Sequence, residues 1–239
     1  MNPVAQLNIL TLPIIGYLRS PLIEKFGTPR QPNLVDVVAH IELCAPYDDL
    51  RAFDGIERFS HVWLLWQFHH NRDNQFRPQI RPPRLGGNTK VGVFASRSMY
   101  RPAPIGLSVV RRGQLQQING QLHLEVIGAD LIDGTPIIDI KPYLAYADAH
   151  PDAVSGFAPD APTALAVQWT DHAQQAWIHQ CQRGQLQQSD QRAIEQLLAL
   201  DPRPAYQQDE RLYGMAYASV NVRFVVRPDG IEIQDIQPR

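Results

Sequence analysis

The sequence predicts a mainly β protein, in which a β-barrel N-terminal domain (1–150) precedes a small α+β C-terminal domain (160–239). Short strand-like runs recur through the first part, and proline and glycine separate them. Many short strands at this spacing favour a closed or nearly closed barrel. Clear helix signals begin only after a connector at 150–162 that is rich in small residues and proline.

Seven segments of the N-terminal part have the composition of β-strands. The segment 62–68 lacks polar alternation, which is typical of a buried strand. Asn119 and Gly120 separate two further segments and predict the tight turn of a hairpin. The predicted strands are Ile9–Leu18, Val35–Leu43, Val62–Phe68, Lys90–Ser96, Leu107–Leu115, Gln121–Gly128 and Ile137–Ile140.

Helices are predicted in the C-terminal part. Asp171–Gln182 has helical periodicity with an acid at its start, and Ser189 is the predicted N-cap of a second helix. The prolines within Asp201–Tyr206 predict an extended segment. The alternation from Ala216 to Val226 predicts one strand, followed by a turn and a final strand that ends at Ile236.

Composition indicates a soluble globular protein, because 44% of the 239 residues are hydrophobic and 19% are charged. The longest apolar runs, such as Val62–Trp66, are too short to cross a bilayer, and the N-terminus does not resemble a signal peptide. Cys44 and Cys181 lie far apart and form no metal-binding spacing. We therefore expect a reduced, cytoplasmic protein.

Charge is unevenly distributed along the chain, although the net charge is only −2. Arginine supplies 19 of the 22 basic residues, and its planar group binds phosphate or carboxylate through two hydrogen bonds. The pattern fits either a basic face directed at phosphates or a solvated arginine-rich surface. The basic residues between 72 and 112 are Arg72, Arg77, Arg81, Arg84, Lys90, Arg97, Arg101, Arg111 and Arg112.

Two irregular segments could bind a ligand. In the stretch GTPRQP, two prolines hold Arg30 and Gln31 in an extended loop. Farther along, Arg97 and Arg101 follow the end of a predicted strand, where two guanidinium groups could bind a carboxylate or phosphate. Gly106 would allow a close backbone approach to a ligand or a positive φ angle. The alternative is that these arginines are exposed at a barrel rim.

A third segment combines a turn at Asp133-Gly134 with an acid, a base and a phenol. Asp139 and Lys141 alternate on one face of a strand, and Tyr143 follows. The group could form a proton-transfer centre or only a surface ion pair, which contributes about 0–1 kcal/mol.

Histidines lie next to the buried strand that ends at Phe68. His69 and His70 are adjacent, so they should point to opposite faces and are poorly placed to bind one metal. A zinc site is therefore the weaker interpretation. The Rossmann and P-loop glycine motifs are absent from the sequence, so a nucleotide-like ligand would need another kind of site.

Five ordered stretches resemble the TsaA-like family, and more narrowly the TrmO (YaeB) tRNA adenine-N6 methyltransferases. The similarity covers the first 150 residues almost continuously and extends into the C-terminal part. The stretches are GTPRQP, RFSHVWLLWQFHHN, RPPRLGGNTKVGVFASRSMYRPAPIGLS, GADLIDGTPIIDIKPY and DPRPAY.

The resemblance implies a β-barrel that binds S-adenosyl-L-methionine and a homodimer. It also implies a tRNA substrate that carries N6-threonylcarbamoyladenosine at position 37, which is methylated on N6. In one departure, Ala103 stands where relatives often have asparagine, so we exclude this position from the site. The cofactor-binding residues that the resemblance implies are Pro29, Arg30, Gln31, His69, His70, Arg97, Leu107, Leu131, Ile132, Asp133 and Gly134.

The same resemblance places the catalytic group at Asp139, Lys141 and Tyr143, and the hypothetical RNA contacts at Arg101, Arg203 and Tyr206. Asp139 or Tyr143 would assist removal of the N6 proton, and Lys141 would stabilise negative charge. Two other classes stay open at this point. One is a module that binds cofactor or RNA without chemistry, and the other is a metal-dependent hydrolase that uses the histidines.

Overall fold

The computed structural model describes residues 10–71, 75–203, 207 and 209–239, and this part of the chain is mainly β. The strands are β1 (Gly16–Arg19), β2 (Val38–Leu43), β3 (His61–Gln67), β4 (Gln79–Ile80), β5 (Val91–Gly92), β6 (Ile105–Ile118), β7 (Gln121–Ile127), β8 (Pro136–Pro142), β9 (Val167–Trp169), β10 (Tyr213–Tyr217), β11 (Val220–Arg227) and β12 (Gly230–Pro238). The α-helices are α1 (Ala145–Asp148), α2 (Asp171–Gln182) and α3 (Gln188–Ala199), and the short 3-10 helices are Leu50–Phe53, Ile56–Arg58, Pro83–Leu85 and Val93–Ala95.

Six strands form a closed antiparallel sheet in the order β1-β2-β7-β6-β3-β8, and β8 pairs back onto β1. Successive side chains of a strand point to opposite faces, so one face of each strand is directed inward. The inward side chains are apolar and almost fully buried, and removing them from water stabilises the closed sheet. They include Leu18, Ile41, Leu64, Leu124 and Ile137.

Strand β3 differs from the buried strand that the sequence predicts. Val62, Leu64 and Trp66 are buried, whereas Trp63 and Leu65 lie on the outer face and are partly exposed. The lack of polar alternation therefore does not mean burial on both faces. The run is apolar because Trp63 and Leu65 form an apolar patch on the outer face of the strand.

Two other predicted strands have markedly different bounds. The segment from Lys90 to Ser96 is extended only at Val91–Gly92, because a 3-10 helix follows at Val93–Ala95. The first strand begins at Gly16 rather than near Ile9, which lies outside the described residues. Pro13 precedes this strand and has no N–H to donate to a sheet.

The predicted hairpin between β6 and β7 is confirmed. Asn119 has φ 51° and Gly120 has φ 84°, which is the pair of positive angles that a type I′ turn requires. The two strands pair directly outside the turn, at Ile118 and Gln121. Local sequence alone therefore specifies this register.

The C-terminal part forms a four-stranded sheet in the order β10-β11-β12-β9, and α2 and α3 pack on it. Its core also contains Leu22, Val35 and Val37 from the N-terminal part, so the two sheets are joined through shared apolar packing. Strand β9, which the sequence analysis does not predict, pairs in parallel with β12.

The bounds of α2 are confirmed, and Thr170 caps it by accepting a hydrogen bond of 3.1 Å from the Ala173 N–H. The predicted N-cap at Ser189 is wrong, because α3 begins at Gln188. Its first turn is closed instead by Asp190, whose carboxylate accepts a 2.7 Å hydrogen bond from the Gln187 N–H.

The single strand predicted from Ala216 to Val226 is two strands joined by a tight turn. Tyr217 pairs with Val220, and between them Ala218 adopts φ 48°. Alanine rarely takes this left-handed conformation, so the sequence gives little warning of the turn. The Ala218 N–H donates a 2.8 Å hydrogen bond to the Pro21 carbonyl, and this long-range contact holds the turn.

Within the described part of the chain, none of the helices combines the length and apolar character needed to cross a membrane.

Candidate functional site

A large cleft of about 1860 Å³ borders the closed sheet. Trp63 and Leu107 form part of its wall, and the irregular chain from 77 to 101 supplies much of the rest. Among the described lining residues, eight are cationic and two are carboxylates, Asp130 and Asp160. Such a surface attracts a polyanion. The cations are Lys25, Arg30, Arg77, Arg81, Arg84, Lys90, Arg97 and Arg101.

The cleft explains most of the charge segregation in the sequence. Six of the nine basic residues between 72 and 112 line it. Of the other three, Arg111 pairs with Asp36, Arg112 donates to the backbone carbonyl of Phe59, and Arg72 lies outside the described residues. Most of these basic residues therefore line one cleft and are not dispersed over the protein surface.

A smaller cavity of about 210 Å³ adjoins the cleft. Five of the predicted cofactor residues line it, and four others line the cleft. Its walls combine the Trp66 and Phe68 rings with aliphatic side chains, which suits the apolar parts of a nucleoside. The five are Pro29, His69, His70, Leu131 and Ile132, and the four are Arg30, Gln31, Arg97 and Leu107.

Asp133 and Gly134 support this cavity but are not among its described lining residues. The Asp133 carboxylate accepts a 3.0 Å hydrogen bond from the Ser20 N–H, and the Gly134 N–H donates one of 2.8 Å to the Leu18 carbonyl. Gly134 has φ 73°, so this turn needs glycine. In this structure the pair fixes the turn that carries Leu131 and Ile132.

The loop that carries Arg30 and Gln31 is seated on the C-terminal sheet. Gly27 has φ 84°, and a Cβ there would overlap the Met215 side chain. Beside it, the Glu24 carboxylate accepts a 3.0 Å hydrogen bond from the Ala216 N–H. The Arg97 guanidinium in turn donates to the Gln31 amide oxygen. The C-terminal sheet therefore helps to position two predicted cofactor residues.

Gly106 lines the cleft, so a close backbone approach to a ligand there stays a prediction, but the expected positive φ angle is wrong. Its φ is not positive, and a Cβ at this position would overlap the Trp66 indole ring. The indole N–H donates a 3.0 Å hydrogen bond to Ser108 Oγ, and Ser108 donates one of 2.6 Å to Asp130 Oδ1. Glycine is needed here because the indole occupies the space above the strand.

Trp66, Ser108 and Asp130 were not predicted as site residues, yet they form one connected group in the structure. Trp66 and Asp130 line both the cleft and the cavity. Burial raises the pKa of the Asp130 carboxyl, and the Ser108 hydrogen bond opposes that shift. The signal that could have identified Asp130 is a carboxylate between apolar residues in the stretch GADLID.

Asp139 and Lys141 lie side by side on β8 and Tyr143 directly follows that strand, but none of the three is among the described residues that line the cleft or the smaller cavity. Lys141 Nζ is 2.8 Å from Asp139 Oδ2, and both side chains are well exposed. The Tyr143 ring centroid is 5.9 Å from that of Trp63. Lys141 also pairs with Trp63 across β8 and β3. Trp63, which lines the cleft, is thus a neighbour of both Lys141 and Tyr143.

The proposed RNA contacts differ in their surroundings. Arg101 lines the cleft and donates a 3.0 Å hydrogen bond to the Ser96 carbonyl. Arg203 is mostly buried and makes two hydrogen bonds of 2.9 Å to Asp201, which has φ 47° and so is not extended as predicted. Tyr206 lies outside the described residues.

His69 and His70 both line the smaller cavity, and their ring centroids are 4.2 Å apart. The expectation that they point to opposite faces is wrong, because β3 ends at Gln67 and both histidines lie in the turn that follows it. Burial, together with the neighbouring His70, lowers the pKa of His69. The neutral imidazole is favoured at this position, which limits repulsion of a cationic ligand.

We expect this shift to make stability depend on pH in the acidic range. As pH falls below the ordinary imidazole pKa, the unfolded chain takes up a proton before folded His69 does, so the free energy of unfolding decreases. Above that pKa both states are neutral and the effect vanishes. Thermal denaturation from pH 8 to pH 5 should show a modest decrease in Tm that His69→Gln reduces. An unchanged slope in the variant would contradict this assignment.

Two family models match successive parts of the chain. The model of the tRNA-methyltransferase O N-terminal domain matches residues 17–149, and the model of the TrmO C-terminal domain matches residues 162–239. A solved structure of TrmO from Pseudomonas aeruginosa superposes with a TM-score of 0.80 at 38% identity. It covers 98% of this chain and 100% of that chain.

Two similar proteins carry functional names. The tRNA (adenine(37)-N6)-methyltransferase of Escherichia coli is 42% identical over 231 residues, which are 94% of this chain and 97% of that protein. RcsF of P. aeruginosa, named as an S-adenosylmethionine-dependent methyltransferase, is 46% identical over 226 residues. These are 93% of this chain and 95% of that protein.

Proposed function

The chain belongs to the TrmO family of tRNA methyltransferases, and from that premise we propose that it methylates N6 of N6-threonylcarbamoyladenosine at position 37 of tRNA. The protein is an S-adenosylmethionine-dependent tRNA adenine-N6 methyltransferase. The observation that carries the finer proposal is a cationic cleft that opens onto a small aromatic cavity.

The cleft has the chemistry that an anticodon stem-loop requires. Eight cationic side chains among its described residues can neutralise phosphates, and six of them are arginines that can bind a phosphate bidentately. A threonylcarbamoyl group adds a carboxylate beside the base, so the marked adenosine is more anionic than an unmarked one. This charge is the basis for proposing that the mark is recognised.

The smaller cavity and its mouth fit the cofactor. The rings of Trp66 and Phe68 suit a cation or a purine face, and Arg97 can bind a carboxylate at the cleft side. When bound, S-adenosylmethionine supplies a methyl group on a positively charged sulfur. The protein must hold that group in line with N6 and exclude competing nucleophiles, and such positioning contributes strongly to rate.

N6 of the marked adenosine is a poor nucleophile, because its lone pair is delocalised into the purine and the adjoining carbonyl. It must lose its proton as it gains the methyl group, and the electron pair of the broken carbon–sulfur bond stays on sulfur. In our proposal Asp139 or Tyr143 accepts the proton, and Lys141 stabilises the negative charge that develops.

We also propose roles for the two domains and an oligomeric state. The closed sheet would act as a β-barrel cofactor-binding domain over 1–150, with a C-terminal domain over 160–239 that supports the cofactor loop through Met215 and Ala216. Arg203 would support the RNA side through the segment around Asp201. We propose a cytoplasmic homodimer as the working form.

Methyl transfer to defined RNA tests the function. The protein is incubated with methyl-labelled cofactor and tRNA that carries the threonylcarbamoyl mark, and the RNA is digested to nucleosides. We expect label in the N6-methylated form of the marked nucleoside. Equal methylation of tRNA without the mark would contradict the substrate, and cofactor binding without any product would favour a non-catalytic binding module.

A further inference from the structure

The cleft and the smaller cavity meet at a shared boundary. If one holds the RNA base and the other the cofactor, the methyl group must be transferred across this boundary, so the residues there should surround the cofactor's sulfur. This reasoning rests on the function proposed above. The described residues that line both spaces are Lys25, Pro29, Trp66, Phe68, Met99 and Asp130.

Of these shared residues, Asp130 supplies the carboxylate and Trp66 and Phe68 supply aromatic rings. The two ring centroids are 4.4 Å apart at an interplanar angle of 64°. Lys25, the cation at the boundary, donates a 2.7 Å hydrogen bond to the His70 carbonyl. A carboxylate beside two aromatic rings is a favourable environment for an organic cation.

The carboxylate and the indole are held in fixed relation by Ser108. Its hydroxyl accepts the Trp66 N–H at 3.0 Å and donates to Asp130 Oδ1 at 2.6 Å. Ser108 is 1% exposed and Trp66 is 8% exposed, so surrounding packing restricts both side chains. Asp130 is thereby oriented before any ligand binds, which lowers the entropy cost of binding.

We propose that Asp130, oriented by Ser108 and flanked by Trp66 and Phe68, recognises the positive charge on the sulfonium of S-adenosylmethionine. That charge disappears when the methyl group leaves, because the product S-adenosylhomocysteine is a neutral thioether at the same atom. Asp130 therefore distinguishes the unreacted cofactor from the product. Product release after each turnover follows from the same charge difference.

Equilibrium binding without tRNA tests this role. Calorimetry gives the Kd of S-adenosylmethionine and of S-adenosylhomocysteine for the unaltered protein and for Asp130→Asn, which preserves the size of the side chain. We expect the variant to bind S-adenosylmethionine about tenfold more weakly, as for loss of a charge-assisted contact. Its affinity for S-adenosylhomocysteine should change by less than about twofold, which is too small for loss of such a contact.

Two control variants accompany this measurement. Asp229→Asn makes the same chemical change at an exposed turn and should leave both Kd values unchanged. Asp130→Glu retains the charge and should retain the preference for S-adenosylmethionine, even if both affinities fall. It also provides the test if Asp130→Asn does not fold.

Two results would overturn the inference. If Asp130→Asn weakened the binding of both ligands equally, Asp130 would contact a group common to both, such as the amino acid or the nucleoside. No weakening of either ligand would mean that it does not contact the ligand. Failure of the unaltered protein to bind S-adenosylmethionine would instead contradict the proposed function itself, and failure to methylate tRNA would leave these binding results intact.

Discussion

Lys141→Ala and Asp139→Asn should each lower kcat at saturating cofactor and tRNA by about 100-fold or more, within the usual range for loss of general acid–base assistance. The physical reason is the weak nucleophilicity of N6, which must lose a proton during transfer. Neither side chain is among the described residues that line the smaller cavity, where we propose that the cofactor binds, so the Kd of the cofactor should not change. Single-turnover methylation of marked tRNA measures the effect on methyl transfer, and calorimetry measures the Kd of the cofactor.

The competing interpretation is a solvated ion pair with no role in catalysis. Lys141 Nζ is 2.8 Å from Asp139 Oδ2, and both side chains are well exposed. Exposed ion pairs of this kind usually contribute little to stability. Arg227→Ala is a matched control, because Arg227 forms a similarly exposed pair with Glu210 at 3.0 Å on the C-terminal sheet. Turnover near normal in both Lys141→Ala and Asp139→Asn would refute the assigned role.

Gly106→Ala should destabilise the fold and disturb the proposed cofactor site. The added methyl group would overlap the Trp66 indole, which is restrained by its hydrogen bond to Ser108 and by the Phe68 ring. Because the indole has little room to move, we expect a loss of about 1–3 kcal/mol in the free energy of unfolding, as for other overpacked sites. Displacement of Trp66 should also weaken cofactor binding.

Thermal denaturation and calorimetry check this prediction against Gly92→Ala. Gly92 lies in β5 with φ −61°, and a Cβ there would meet no atom within 4 Å. The control should therefore retain its Tm and its cofactor affinity. If Gly106→Ala behaves like Gly92→Ala in both measurements, Trp66 is not the rigid neighbour that the structure indicates.

The sequence predicted only some of the residues that line the cleft and the smaller cavity. The residues that it missed share one feature, which is that their roles depend on contacts between distant segments. The stretches that resemble the family identify Pro29, His69 and Leu131, which do line the small cavity. Ser108 and Asp130 also lie within those stretches, but the resemblance assigns them no role, because their importance depends on which face of β6 meets the chain after β7. Spatial neighbours that are distant in sequence leave no periodic pattern to read.

The amino-acid sequence by itself determined the features that depend on neighbouring residues. The Asn119-Gly120 turn follows from the φ angles those residues tolerate, and the bounds of α2 follow from its periodicity and the acid at its start. Tertiary structure alone decided where distant segments meet. Ala218 takes its left-handed angle because Pro21 accepts its N–H, and the loop at Gly27 takes its place because Met215 lies beneath it. These contacts join residues about 190 positions apart, and they form only when both sheets have packed on their shared core.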